Sequence, residues 1–443
     1  MHALPALGPG DQGRGLTHVP GHHRLSVARG PERVLARTLR IALGTLAAWL
    51  VALAVAPPVA AQPSPTGRVA GPGLERFDPV LTGLVQKFSL PGAGFAVVYQ
   101  GRLVLARGYG FADLEAQRPV EPTTRFLLAS VSKSITAASI VKLVESGKLH
   151  FEDRVFQILD RIAPLDPARV DPRTAQITVL DLLYHAGGWD RTTSGDPLAY
   201  GARVARALGV RGPVGPRQLV RYMLSQPLDF TPGTKTVYSN YGYMLLGLII
   251  ERVTGEPYEP YVRANTLQPM GIGGVVDGAG HPQYFPEEAR RYGPDQHLMP
   301  GGGLPAVHFA SGGWVASAVE MARFMAVLGG ERPPAFLTPA SFARMLAPPP
   351  APIPLRPGGG HFGMGWDNVL QATKGELYEK DGGVLGTTTW VEHRPDGASW
   401  VLLINSSNRS DGPELHRTFV REIRQAIDTT VRWPDGDLFG SYP

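Results

Sequence analysis

Ser130 and Lys133 are the residues of this sequence best suited to covalent chemistry. They belong to the tetrad Ser130-Val131-Ser132-Lys133, at the start of a predicted helix. Residues three apart share one helix face, so the hydroxyl and the amine can come within hydrogen-bond distance. Serine is a weak nucleophile alone, but a neighbouring lysine can take its proton if burial lowers the pKa of the amine. The tetrad therefore predicts a nucleophile and its base, beside helix N–H groups that favour an oxyanion.

Tyr238 and Asn240 form a second candidate group, just before a helix predicted from residue 244. A buried tyrosine near an amine can relay a proton, and an asparagine amide can orient a substrate carbonyl or hold the lysine. A core tyrosine followed by a turn-forming asparagine would have the same spacing. The pair therefore supports a catalytic site only in combination with the tetrad at Ser130.

Lys380-Asp381-Gly382-Gly383 is the third group, at the beginning of the late strands. It offers a cation followed by glycines, which let a substrate approach the backbone closely. A polar turn before a strand is the alternative interpretation.

The elements that must position these groups are strands at both ends and helices between them. Residues 93–107 and 387–405 are predicted β-hairpins, because apolar runs flank short turns in both. The first hairpin precedes a predicted helix over 131–146, and a last helix is expected from Pro413. This order predicts an α/β (α+β) fold: one antiparallel sheet built from both chain ends, flanked by helices, with a mostly helical region inserted.

Capping boxes support the inserted helices. Thr178 with Asp181, and Ser317 with Glu320, have the spacing at which two side chains satisfy the first N–H groups of a helix. We expect sheet parts at about 75–130 and 361–430, and the helical insertion at about 150–345.

Composition excludes several classes of site. The 443 residues include no cysteine, which rules out disulfides, thiolate nucleophiles and cysteine-ligated metals. Neither His-x-His nor His-Glu-x-x-His occurs, so we expect no metal and no cofactor. The absence of Gly-x-Ser-x-Gly excludes the nucleophile elbow of α/β-hydrolases.

Residues 1–61 have the character of a signal peptide or membrane leader. Six arginines precede an uncharged run at 41–56, and small residues follow it, so we expect export with cleavage near Ala61. A retained anchor with membrane contact is the alternative. These arginines also account for most of the net charge of +5, which removes the reason to expect nucleic-acid binding. We expect a linker at 62–74, a catalytic domain at 75–430 and a tail at 431–443.

The order Ser-x-x-Lys, Tyr-x-Asn, Lys-x-Gly resembles the penicillin-recognising serine hydrolases, the family of class C β-lactamases, D,D-carboxypeptidases, D-aminopeptidases and related esterases. The resemblance runs from about residue 75 to 428. Further landmarks of the family are Gly92-Ala93-Gly94, residues 107–113, residues 182–188, Thr231-Pro232-Gly233, residues 242–247, Ser311-Gly312-Gly313 and Gly363-Met364-Gly365-Trp366.

The resemblance implies a role for each catalytic candidate. Ser130 would be the acylated nucleophile and Lys133 the base that activates it. Tyr238 would pass the proton to the leaving group and help to activate the deacylating water.

The same resemblance implies the substrate-binding residues. Asn240 would orient the acyl group, Lys380 would complete the polar network above the serine, and Gly382 would lie beside the substrate. The backbone N–H groups of Ser130 and Gly383 would form the oxyanion hole.

Asp381 departs from the family pattern, which usually has a hydroxyl residue there to bind a substrate carboxylate. A carboxylate facing the site would repel such a substrate, whereas alternation along a strand could turn Asp381 away. We therefore predict an exported serine hydrolase acting on a small-molecule ester, amide or peptide substrate. We expect it to prefer neutral esters or amides over β-lactams and D-Ala-D-Ala ends. A β-lactamase or D,D-peptidase and a non-catalytic cell-wall-binding protein remain the alternatives, and the sequence leaves the oligomeric state open.

Overall fold

Strands from both ends of the described chain meet in one antiparallel sheet. The computed structural model describes residues 62–355, 359–372, 375–407 and 412–442. The strands are β1 (Thr66–Val69), β2 (Gly92–Tyr99), β3 (Arg102–Asp113), β4 (Arg118–Pro119), β5 (Arg125–Leu127), β6 (Val276–Asp277), β7 (Trp314–Ser317), β8 (His361–Gly363), β9 (Trp366–Ala372), β10 (Gly375–Val384), β11 (Thr387–His393) and β12 (Ala398–Ile404). Within these residues the large sheet has the order β1-β3-β2-β12-β11-β10-β9-β8, with β4 added to β3, and β5-β7-β6 forms a small second sheet. The predicted fold class is confirmed.

Helices cover both faces of the large sheet. They are α1 (Phe77–Lys87), α2 (Ser132–Glu145), α3 (Val155–Ile158), α4 (Val179–Leu183), α5 (Gly201–Leu208), α6 (Pro216–Met223), α7 (Asn240–Thr254), α8 (Tyr258–Val262), α9 (Ala318–Leu328), α10 (Pro339–Leu346) and α11 (Gly412–Asp428). Strand β12 contributes to the hydrophobic cores on both faces of the sheet, because successive side chains of a strand point to opposite faces. Leu402 and Ile404 pack in the core with α1 and α11, whereas Val401 and Leu403 pack in the larger core that contains α2 and the inserted helices.

The inserted region is mostly helical, as predicted. Both capping boxes are present: Thr178 and Asp181 begin α4, and Ser317 and Glu320 begin α9. Helix α2 lies so deep that all its residues from Ser132 to Val141 are buried. A helix buried on every side is held by its neighbours, which gives the residues beside it fixed positions.

Both predicted hairpins are confirmed, but the expected linker at 62–74 is wrong in part. Residues 66–69 form β1, which pairs with the residues of β3 around Arg107, and Leu74 is fully buried. Such a short edge strand needs no strict apolar alternation, so its composition resembled a linker.

The expected tail at 431–443 also packs on the sheet. Phe439 is buried, and a carboxylate oxygen of Asp437 accepts a hydrogen bond from the backbone N–H of Leu103. The expected leader at 1–61 lies outside the described residues. Among the residues that are described, no helix is long and apolar enough to cross a membrane.

Candidate active site

Ser130 lies in a short 3₁₀ turn between β5 and α2. Two strands fix the backbone just before it: the Leu128 N–H donates to the Trp314 carbonyl at 2.7 Å, and Thr389 Oγ1 donates to the Leu128 carbonyl at 2.8 Å. Ala129 has a φ of 47°, in the left-handed region that non-glycine residues seldom occupy. Strain of this kind persists only where surrounding contacts impose it, so the position of the serine is set by its surroundings.

Lys133 is fully buried directly below Ser130. Its Nζ lies 3.2 Å from Ser130 Oγ, 2.8 Å from Asn240 Oδ1 and 2.6 Å from the Ser311 carbonyl oxygen. Burial, followed by the nearby charge of Lys380, lowers the pKa of Lys133 well below its ordinary value. In a neutral amine the two N–H groups satisfy the amide and carbonyl oxygens. The lone pair is then left for the proton of the Ser130 hydroxyl, as a general base requires.

Tyr238 reaches the same hydroxyl from the other side. Its Oη lies 2.6 Å from Ser130 Oγ, and its ring lies 4.9 Å from Lys133 Nζ. Burial raises the pKa of Tyr238 to about 12, even though the charge of Lys380 opposes the shift. The phenol is therefore protonated at neutral pH and donates to the serine oxygen.

Asn240, the first residue of α7, holds the lysine. Its Nδ2 donates to Asp196 Oδ2 at 2.6 Å, while its Oδ1 accepts from Lys133. A carboxylate can only accept, so Asp196 fixes which end of the amide faces the lysine. Of the two roles considered for Asn240, the contacts present are those that hold the lysine. Sequence analysis missed Asp196, which is 44 positions away along the chain.

Lys380 is buried on β10 between two carboxylates. Its Nζ lies 2.5 Å from Asp367 Oδ2 and 3.8 Å from Asp381 Oδ1, and it donates to the Asp381 carbonyl at 2.7 Å. Burial alone would lower the pKa of Lys380, but the charges of Asp367, Tyr238 and Asp381 together outweigh it and the net shift is upward. Burial raises the pKa of Asp367 to about 6 against the pull of Lys380. Sequence analysis also missed Asp367, although it directly follows the landmark that ends at Trp366.

Gly382 and Gly383 differ in the space around them. A Cβ at Gly382 would lie 2.3 Å from Thr389 Oγ1 and 2.6 Å from the Leu128 carbonyl oxygen. Only glycine lets β10 run this close to the turn that carries Ser130. A Cβ at Gly383 would meet no atom within 4 Å among the described residues, and Gly383 lines the same cavity as Ser130. That the N–H groups of Ser130 and Gly383 form an oxyanion hole stays a prediction.

A cavity of about 390 Å³ opens above these groups. It is lined by Ser130, Arg191, Tyr238, Phe362, Asp367, Asp381 and Gly383. Asp381 therefore faces the site, which answers the question that strand alternation left open. In the described part of the chain, no group of three or more His, Asp or Glu side chains is placed to hold a metal ion.

The sequence and the fold of this chain resemble those of known proteins. The family model described as Beta-lactamase matches residues 77–425. The protein flp of Staphylococcus aureus (strain COL) is 28% identical over 205 residues, which are 46% of this chain and 38% of that protein. A putative D-alanyl-D-alanine carboxypeptidase of Escherichia coli (strain K12) is 30% identical over 225 residues, 48% of this chain and 50% of the relative. The alignments thus span half or less of the length of these curated relatives.

Solved structures share the fold. The octameric penicillin-binding protein homologue from Pyrococcus abyssi superposes with a TM-score of 0.62 at 25% identity, over 80% of this chain and 76% of that one. EstCE1, a hydrolase with promiscuous acyltransferase activity, gives 0.64 at 21% identity, over 80% and 98%. Since the family model covers most of the sequence, the chain belongs to the beta-lactamase family.

Proposed function

We propose that this protein is a serine hydrolase that forms an acyl-enzyme on Ser130. One observation carries the proposal: Ser130 Oγ lies between Lys133 Nζ at 3.2 Å and Tyr238 Oη at 2.6 Å. The lysine is driven towards the neutral amine and the tyrosine is kept protonated, so a proton acceptor and a proton donor flank one nucleophile.

Acylation follows from this arrangement. Ser130 Oγ attacks the carbonyl carbon of the substrate while its proton moves to Lys133 Nζ. The bond between the carbonyl carbon and the leaving oxygen or nitrogen then breaks, and Tyr238 gives its proton to that leaving atom. Tyr238 regains a proton from Lys133. The balance is one acyl-serine, one protonated leaving group and both side chains in their starting states.

Deacylation uses the same groups with water in place of the leaving group. The water loses a proton to the Tyr238 and Lys133 pair as its oxygen bonds to the acyl carbon. The bond between the acyl carbon and Ser130 Oγ then breaks, and the pair returns the proton to Ser130 Oγ. The products are the free acid and the free enzyme.

Small esters or amides are the proposed substrates. A substrate carboxylate 4 Å from Asp381 would be disfavoured by about 4 kcal/mol at an effective dielectric of 20, and by less where water screens the pair. This argues against the β-lactamase and D,D-peptidase alternatives, whose substrates carry such a group. Comparable turnover of a chromogenic cephalosporin and a nitrophenyl ester would contradict the preference.

A covalent probe tests the chemistry. Incubation with a fluorophosphonate, followed by peptide mass spectrometry, is expected to give an adduct on Ser130 that is lost in Ser130→Ala. Ser441→Ala, at an exposed serine outside the cavity, is the matched control and should label like the wild type. If no serine-directed probe, penicillin included, labels the wild type, the result would favour the non-catalytic cell-wall-binding alternative.

We also propose that the protein is exported, on the basis of the basic and apolar segments at 1–61. Expression of the full chain in a bacterial host, followed by fractionation and N-terminal sequencing, checks this. A mature chain that starts near Gln62 outside the cytoplasm is expected. Full-length protein in the membrane fraction would instead support a retained anchor, and full-length protein in the cytoplasm would reject export.

A further inference from the structure

We propose that His185 is a positioning residue that holds the phenol of Tyr238 against Ser130. This inference rests on the proposed hydrolase function and adds a residue that acts through Tyr238 rather than on the substrate. Three contacts carry it: two with the backbone on either side of Tyr238 and one with the tyrosine ring.

His185 binds the backbone immediately before and immediately after Tyr238. Its carbonyl oxygen accepts from the Val237 N–H at 2.9 Å, and its Nδ1 accepts from the Ser239 N–H at 3.1 Å. Ser239 is also the residue that caps the start of α7. Both neighbours of the tyrosine are therefore tied to a single residue of a distant segment.

The backbone of His185 lets one residue make both bonds. His185 follows the end of α4 with a φ of 58°, in the left-handed region, which histidine and asparagine adopt more readily than most residues do. Its own N–H donates to the Leu182 carbonyl at 3.2 Å, and the Ala186 N–H donates to the Asp181 carbonyl at 2.6 Å. The end of α4 thus fixes the turn from which the carbonyl and the ring of His185 reach the segment before α7.

The ring of His185 supports two aromatic side chains of the cavity. Its centroid lies 4.7 Å from that of Tyr238 and 4.9 Å from that of Phe362, and both of those residues line the cavity. The ring of Tyr243, on α7, lies 5.1 Å away. His185 is 3% exposed, so this packing limits how far the phenol can turn away from the serine on that side.

The bond to Ser239 requires an uncharged ring, because both nitrogens of a protonated histidine donate. Burial lowers the pKa of His185 to about 3, although the charge of Asp367 opposes the shift. The ring is therefore neutral at neutral pH, and the bond to Ser239 assigns its proton to Nε2. Since a backbone N–H occupies the lone pair of Nδ1, His185 does not serve as a base itself.

The leaving group of the substrate separates positioning of Tyr238 from a general structural role. A nitrophenolate leaves without a proton, whereas an alkoxide must be protonated as it leaves, and that is the step assigned to Tyr238. We would measure kcat/KM for the 4-nitrophenyl and ethyl esters of the acyl group, acetyl, butanoyl or benzoyl, that the wild type turns over fastest. This constant covers the steps up to the acyl-enzyme.

Two variants divide the contacts of His185. His185→Phe keeps a ring and removes the acceptor, and we expect it to lower kcat/KM at least about tenfold for the ethyl ester but less than about threefold for the nitrophenyl ester. His185→Asn keeps an acceptor and suits the left-handed backbone, so it should stay within about threefold of the wild type on both. If His185→Phe does not fold, His185→Gly replaces it, because glycine suits the same backbone and also lacks the acceptor.

A double variant gives the second measurement. Adding His185→Phe to Tyr238→Phe should lower kcat/KM for the ethyl ester by less than about threefold more, because the phenol to be positioned is already absent. His150→Phe, at an exposed histidine before α3, is the matched control and should change neither ester.

Equal losses on the two esters, losses that multiply in the double variant, or no loss in His185→Phe would each overturn the inference. The proposed function would stand in these cases, because the wild type is active. A wild type that hydrolyses only the nitrophenyl ester would also overturn the inference, since Tyr238 would then deliver no proton. Failure of the wild type on every ester would instead overturn the proposed ester hydrolase and this inference together.

Discussion

Lys133 on α2 and Lys380 on β10 are equally buried, yet their surroundings drive them to opposite charge states. The partners of Lys133 are a hydroxyl, an amide oxygen and a carbonyl oxygen, and its pKa is lowered. Lys380 lies beside two carboxylates, and its pKa is raised. Burial penalises both ammonium groups, so the charge of the partners decides which lysine can be a base.

Of the variants considered, replacement of a lysine by arginine should cause the largest loss of activity. The loss should differ between Lys133 and Lys380. Arginine stays protonated, so Lys133→Arg should lower kcat/KM by about 1000-fold, as removal of a general base and activated nucleophile does. Lys380→Arg keeps the charge and should lose no more than about tenfold. Rates of fluorophosphonate labelling measure both. Equal losses in the two variants would mean that the lysines do not differ in protonation.

Tyr238 contacts the nucleophile between the two lysines, with its ring 4.9 Å from one Nζ and 5.3 Å from the other. Tyr238→Phe keeps the ring and removes the proton, so we expect kcat to fall about 100-fold. Circular dichroism and thermal unfolding should match the wild type. A fall below about threefold would place the proton relay on Lys133 alone.

Asp367→Asn makes the surroundings of Lys380 more like those of Lys133. Loss of this charge should lower the pKa of Lys380 and reduce the free energy of unfolding by about 1–3 kcal/mol, because a buried ammonium loses its closest anion. Urea unfolding measures the stability, and activity should fall about tenfold. Asp160→Asn is the control, since an exposed pair contributes little. Wild-type stability in Asp367→Asn would show that Lys380 does not depend on this carboxylate.

Asp196→Ala should have the smallest effect on rate, about threefold to tenfold, because Asn240 stays in place but its orientation is no longer fixed. The negative charge of Asp196 raises the pKa of Lys133, so its removal lowers that pKa further. Since the neutral amine is the active form, the acid limb of the kcat/KM profile should move to lower pH. A shift to higher pH would contradict the assignment of Lys133 as the base.

The sequence predicts local contacts in this molecule better than distant ones. Spacing alone placed Ser130 beside Lys133. The capping boxes at Thr178 and Ser317 could also be predicted, because each joins residues within one helical turn. Nothing local identifies Asp196, whose contact with Asn240 depends on where a loop crosses α7. The alternation rule likewise left the direction of Asp381 undecided, because its exposure depends on how β10 meets the turn before α2.

The contrast between Gly382 and Gly383 separates what can be varied in this site from what must be kept. Any side chain at Gly382 would push β10 away from the serine, so that position constrains every descendant of the sequence that keeps the reaction. One residue later the described residues leave open space, where a new side chain could reshape the mouth of the cavity without moving the catalytic groups behind it. Directed evolution of substrate choice would therefore do best to diversify Gly383 and leave its neighbour fixed.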